Sequence, residues 1–223
     1  MKSYAITSVP GVTTVCQPQI IRSGVTGNVT MQLGIVTSPT AGCVQRNVLY
    51  QVADVHQQSF ELKFEIKVNN LTNPSGDMFS VFFGYNPNGN LNNLDNMPVG
   101  NSNNGYKVVF GMRDNSPSVS KGLFLYGSNG LVKNSTSLPI FDNKYREVII
   151  RYNKGTVNTW TVKYNGVIML TFSDNNNTNW LSSKGNKFWG FYAANSDKYH
   201  TSFIRKVNMT RIFPYVAAVG KQL

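Results

Sequence analysis

Two glutamates on one strand face are the first place to look for catalysis. In "FELKFEIKV", residues 60 to 68, Glu61 and Glu65 stand four residues apart with Lys63 between them. Retaining hydrolysis of glycosides needs two carboxyl groups about 5 to 5.5 Å apart, and inverting hydrolysis about 6.5 to 9.5 Å. At about 3.4 Å per strand residue, Glu61 and Glu65 are roughly 13 to 14 Å apart, too far for either geometry. With Lys63 between them they read as a solvated charge ladder. His56 and His200 are the only histidines, and neither sits in a nucleophile motif; G-x-S-x-G, H-E-x-x-H and P-loop sequences are absent. The sequence is that of a binding or structural protein, not an enzyme.

Binding chemistry has better candidates. In "NPSGDMFSVFFGYN", residues 73 to 86, a turn cluster runs into a solid apolar strand, and Asp77 is the single carboxylate before it. A carboxylate near a loop amide and an aromatic ring suits a polyol, which offers paired hydroxyl donors and an apolar face. The competing role for Asp77 is capping its own turn. Tyr85 and Tyr106 bracket the long loop 86 to 104 and are the first candidates for an exposed ring that stacks on a ligand. Their competing role is to close the rim of the fold with the hydroxyl in water.

These residues must be carried by strands. "FELKFEIKV" alternates over nine residues, so one face is buried and one is wet. "MFSVFFGY" (78 to 85) is apolar on both faces and belongs nearer the centre of a sheet. Further strands are expected at 106 to 112, 122 to 127, 145 to 152, 187 to 194 and 201 to 213, with short candidates at "PQII" and "VTMQLGIV" in the less patterned first 50 residues. In "TWTVKYNGVIMLTF", residues 159 to 172, Asn165-Gly166 lies between alternating runs and predicts a hairpin with a type I′ turn. No apolar stripe at helical spacing persists, so helices should be rare. Ten or more strands in 223 residues predict one all-β sandwich or jelly roll spanning the chain, with residues 1 to 40 the least defined part.

Composition narrows partners and compartment. The chain carries 21 Lys and Arg against 10 Asp and Glu, a net charge of +11. That excess attracts polyanions, although the bases are dispersed in sequence with no block or stripe. No window reaches the roughly 18 apolar residues of a membrane span, and the first residues lack the apolar block of a signal peptide. Cys16 and Cys43 either pair or remain thiols. Five Asn-x-Ser/Thr triplets are about what 28 Asn produce by chance, so they argue nothing about secretion. Abundant Asn and Lys fit an AT-rich genome, as in many protists and large DNA viruses.

Read in order, "AGCVQRNVLYQV", "SFELKFEIKV", "SGDMFSVFFGY", "YKVVFGMRDN", "REVIIRYNKGTVNTWTVKYNG" and "KFWGFYAANSDKYHTSFIRKV" resemble the succession of strands in the concanavalin A-like lectin and glucanase superfamily, most closely the L-type lectins. The resemblance covers residues 40 to 213 and implies a concanavalin A-like antiparallel β-sandwich. Gly76-Asp77-Met78 falls where the family carries Ala-Asp-Gly, whose aspartate accepts hydrogen bonds from sugar. The family's metal loop begins V-E-F-D, and its acids hold a transition metal and a calcium. Here the matching residues are Val108-Val109-Phe110-Gly111; Asn115 matches, but Ser120 replaces a second Asp. Calcium needs six to eight oxygen ligands, so no metal or other cofactor is expected. The E-x-D-x-x-E motif of the glucanase branch is absent.

The resulting expectation is a metal-independent, non-enzymatic glycan-binding protein, with a glycan or glycoprotein as partner. Asp77, Gly105, Asn115 and the turn of Asn195, Ser196 and Asp197 would form one rim, supplemented by Tyr85 and Tyr106. The alternative is a structural or attachment protein, for example viral or cell-surface, that keeps the sandwich as a scaffold without sugar binding. Polyanion binding through dispersed Lys and Arg is a third class. Lectins of this shape often pair through their sheets, so a homo-oligomer is also an expectation; the compartment stays open, with a virion or extracellular surface one of the options.

Overall fold

The computed structural model describes residues 2–5, 22–25, 28–33, 45–52, 59–69, 78–85, 105–111, 122–127, 130–135, 141–174, 188–195 and 201–212. They form two seven-stranded sheets in which every strand pair is antiparallel. The first sheet runs β1 (Lys2–Ala5), β4 (Gln45–Val52), β13 (Phe188–Asn195), β6 (Met78–Tyr85), β7 (Tyr106–Gly111), β8 (Gly122–Gly127) and β9 (Gly130–Asn134). The second runs β12 (Val167–Asp174), β11 (Asn158–Tyr164), β10 (Arg146–Asn153), β5 (Ser59–Asn69), β14 (Thr201–Ile212), β3 (Asn28–Leu33) and β2 (Arg22–Val25). Strands from both ends of the chain therefore enter the same two sheets. The candidate "PQII" strand lies outside the described residues, and β2 begins one residue after it.

Period-two patterning decides which side chains meet between the sheets. On β5, Phe60, Leu62, Phe64, Ile66 and Val68 are buried in the core. From the facing sheet come Phe79, Val81 and Phe83 of β6, Tyr106, Val108 and Phe110 of β7, and Trp189 and Phe191 of β13. Trp160 of β11 is the hub. Its ring lies 4.6 Å from Tyr106, 4.9 Å from Tyr152 and 5.4 Å from Phe83, so contacts from one indole bridge both sheets. The first sheet is also covered on its other face: Phe82, Val109 and Tyr192 point away from this core yet are buried, in keeping with the two-faced apolar run at 78 to 85.

The expected hairpin is present. Asn165 and Gly166 have φ of 49° and 81°, the two positive values a type I′ turn demands. A second backbone device lies on β14, where the register with β5 shifts between Arg205 and Asn208 and Lys206 takes φ 53°. In a regular strand Arg205 and Lys206 would point to opposite faces; at this bulge both reach Glu65, at 2.5 and 2.7 Å.

Candidate functional site

The strand register places the expected rim. Met78, which follows Asp77 in the chain, pairs with Gly111 on one side and with Ala194 on the other, and Gly111 pairs with Gly122. The start of β6, the ends of β7 and β13 and the start of β8 therefore share one end of the first sheet. Asp77, Asn115, Ser196 and Asp197 themselves lie outside the described residues. Asn195, expected in a turn, is the last residue of β13 and pairs with Gln45.

Two expectations about this rim need correction. Gly105 precedes Tyr106, which pairs with Phe83, and Tyr85 closes β6 opposite Phe188. Gly105, Tyr106 and Tyr85 thus lie toward the opposite end of the sheet; Tyr85 is about 24 Å along β6 from Met78, and the Phe83–Tyr106 pair about 17 Å, at about 3.4 Å per residue. Gly105 takes φ 104°, a conformation that suits glycine. Tyr106 is the second correction. Only 1 % of it is exposed, its ring packs on Trp160, and its hydroxyl donates to the buried Asp174 carboxylate on β12. It is a clamp between the sheets, with no open ring face for a sugar. The parity of Tyr106 with Val108 and Phe110 is the signal that sequence reasoning passed over.

The face of the first sheet that points away from the core carries cross-strand rows. One row is Gly190, Phe82, Lys107 and Tyr126; the next is Tyr192, Ser80, Val109 and Phe124. Lys107 is 3 % exposed between two aromatic neighbours, and burial pushes its ammonium down to about 8. Burial also raises the Tyr126 hydroxyl above its ordinary value. Ser80 Oγ is buried without a hydrogen-bond partner among the described residues.

A metal of the kind implied by the resemblance does not fit this face. The positions matching its acids, Val109 and Gly111, lie on the same strand face as Lys107, so the face offers a methyl-bearing side chain, a bare backbone and a buried cation where carboxylates would be needed. Among the described residues no group of three or more His, Cys, Asp or Glu is gathered to hold an ion. Nor is any helix among them long and apolar enough to cross a membrane.

Glu61 and Glu65 lie on the second sheet, on the face away from the core. Arg151 donates to Glu61 at 2.6 Å, and Arg205 and Lys206 hold Glu65. Burial tends to raise the Glu65 carboxyl, but the Lys206 and Arg205 hydrogen bonds outweigh it and hold the group below the ordinary carboxylate value. Both glutamates are charge-ladder residues, as their spacing with Lys63 suggested; Lys63 itself reaches Glu147 at 2.5 Å.

No protein-family model and no curated protein sequence matches the chain. Solved structures do. The chain is similar to lectin II from Ulex europaeus, at 14 % identity and a TM-score of 0.58, covering 95 % of this chain and 99 % of that one. It is similar to a lectin from Bauhinia forficata in complex with GalNAc, at 14 % identity and a TM-score of 0.59, covering 95 % and 98 %. A third likeness is to the exoplasmic/lumenal domain of VIP36 in a Ca2+/Man3GlcNAc-bound form, at 10 % identity and a TM-score of 0.53, covering 86 % of each chain.

Proposed function

We propose that this chain, which has the concanavalin A-like sandwich of L-type lectins, is a non-enzymatic protein that binds glycans without a metal, at the end of the first sheet where β6 begins. The observation that carries this is the pairing of Met78 with both Gly111 and Ala194. It brings together the strand ends from which Asp77, Asn115, Asn195, Ser196 and Asp197 extend in sequence. Asp77 would accept sugar hydroxyls, and the asparagines would supply paired amide donors and acceptors. Tyr106 has no part in this, and Gly105 and Tyr85 are left to the far end.

The scaffold reading is favoured by one feature, the buried Lys107 and Val109 on the face where carboxylates would anchor a metal. A glycan array read with and without EDTA separates the two. Saccharide hits that survive EDTA support metal-free recognition; hits that vanish with EDTA contradict it, and an array without hits leaves the scaffold.

A further inference from the structure

Bases that are dispersed along the sequence are gathered by strand parity onto one surface. On the outer face of the second sheet stand Lys63 and Lys67 of β5, Arg151 of β10, Lys163 of β11, and Arg205 and Lys206 of β14. Lys206 reaches this face only because the β14 bulge turns it there. The same face of these four strands carries three carboxylates, and each is engaged: Glu61 by Arg151, Glu65 by Arg205 and Lys206, and Glu147 by Lys63. Six cations against three anions leave the face positive. Lys163 belongs to none of these pairs; its cross-strand neighbours are Ile149 and Ile168.

Between β5, β10 and β11 this face is hollowed into a groove of about 470 Å³ lined by Glu61, Ile149, Arg151, Asn153, Thr161 and Lys163. Lys163 and Arg151 are diagonal neighbours across the β10–β11 pair, a separation of about 7 to 8 Å. Lys163 can hold one anionic group, and Arg151, which gives Nε and Nη2 to Glu61, keeps its remaining N–H groups for the next one along the same chain. Thr161 and Asn153 add hydroxyl and amide partners, and Ile149 offers an aliphatic floor for the C–H face of a sugar ring.

We propose that this groove and the basic face around it form a second binding site, for an acidic polysaccharide bearing sulfate groups. The site lies on the sheet opposite the Asp77 end and stands independently of the function proposed there. A saccharide fits the face better than a nucleic acid does. The two rings packed into its basic end, Tyr145 and Phe203, are already covered: Lys67 lies 4.6 Å from the Phe203 centroid and Arg205 3.6 Å from the Tyr145 centroid. They are therefore occupied by cations and not open for stacking bases.

The test is titration of the full chain with a heparin-derived hexasaccharide at several sodium chloride concentrations. Lys163→Gln and, separately, Lys67→Gln are compared with Lys133→Gln, an exposed base on β9 of the other sheet that makes the same change in net charge. Lys163→Gln should weaken binding severalfold and reduce the slope of log affinity against log salt by about one, as loss of a single anion contact does. Lys67→Gln should act in the same direction, and Lys133→Gln should leave both quantities near the parent values. Equal losses in all three variants would overturn the site in favour of undirected attraction by net charge. So would equal binding of the N- and O-desulfated hexasaccharide, or tighter binding of a single-stranded oligonucleotide of matched charge.

Discussion

Lys107 is a lysine between Phe82 and Tyr126 with 3 % of its surface exposed, and such burial is expressed in pH. Its folded pKa of about 8 lies below the ordinary 10.5, so between these values the unfolded chain holds a proton that the folded chain has released. Stability from this group therefore rises with pH from about 8 to 10.5, and the full penalty applies below 8. A shift of this size is worth about 3 kcal/mol. Lys107→Met should remove both the penalty at pH 7 and the rise, which urea unfolding measured between pH 7 and 10.5 reads directly. Tyr106 makes the opposite case, a polar group that buries well because it is paired. Tyr106→Phe removes the bond to Asp174 and should cost roughly 1 to 3 kcal/mol in the same unfolding assay while leaving saccharide affinity unchanged. Sequence placed Tyr106 beside a loop but did not weigh its parity with Val108 and Phe110; Asp174 gave no local sign that its partner lay 68 residues away.

At the scale of elements, what could be read depended on whether pattern and turn chemistry agreed. β5 alternates strictly and β6 is apolar on both faces, and both run where expected. The β11–β12 hairpin was legible because Asn165-Gly166 is the dipeptide that tolerates two positive φ values. Gly166 has open space around its missing Cβ but a φ of 81°. Gly166→Ala should accordingly lose about 1 to 2 kcal/mol through the backbone and not through a clash, with strand content by circular dichroism unchanged. β1 and β9, four and five residues long, carry too few alternations to stand out. The β14 bulge was likewise invisible: Lys206 is an unusual residue for φ 53°, and only the pairing of β14 with β5 shows why both of its neighbouring bases turn to Glu65.

Across the whole molecule, the order of strand motifs was enough to reach the concanavalin A-like sandwich, because each motif fits its place in two sheets whose partners are distant in sequence. β4 pairs with β13 and β5 with β14. The rim was only partly legible. Residues bordering similar Asn- and Gly-rich loops were grouped together, whereas antiparallel topology sends the loop before β6 and the loop before β7 to opposite ends of the sheet. Net charge misled in a similar way, since bases scattered in sequence converge on one sheet face once alternate side chains are sorted. The central claim is metal-free saccharide binding at the start of β6, and its most direct test is equilibrium titration of Asp77→Ala, in EDTA, with the strongest hit from the array. Loss of one hydrogen bond to a charged group corresponds to roughly tenfold or more in affinity. The expected result is a loss of that size with an unchanged melting temperature; parent-like affinity in a folded Asp77→Ala protein would contradict the claim.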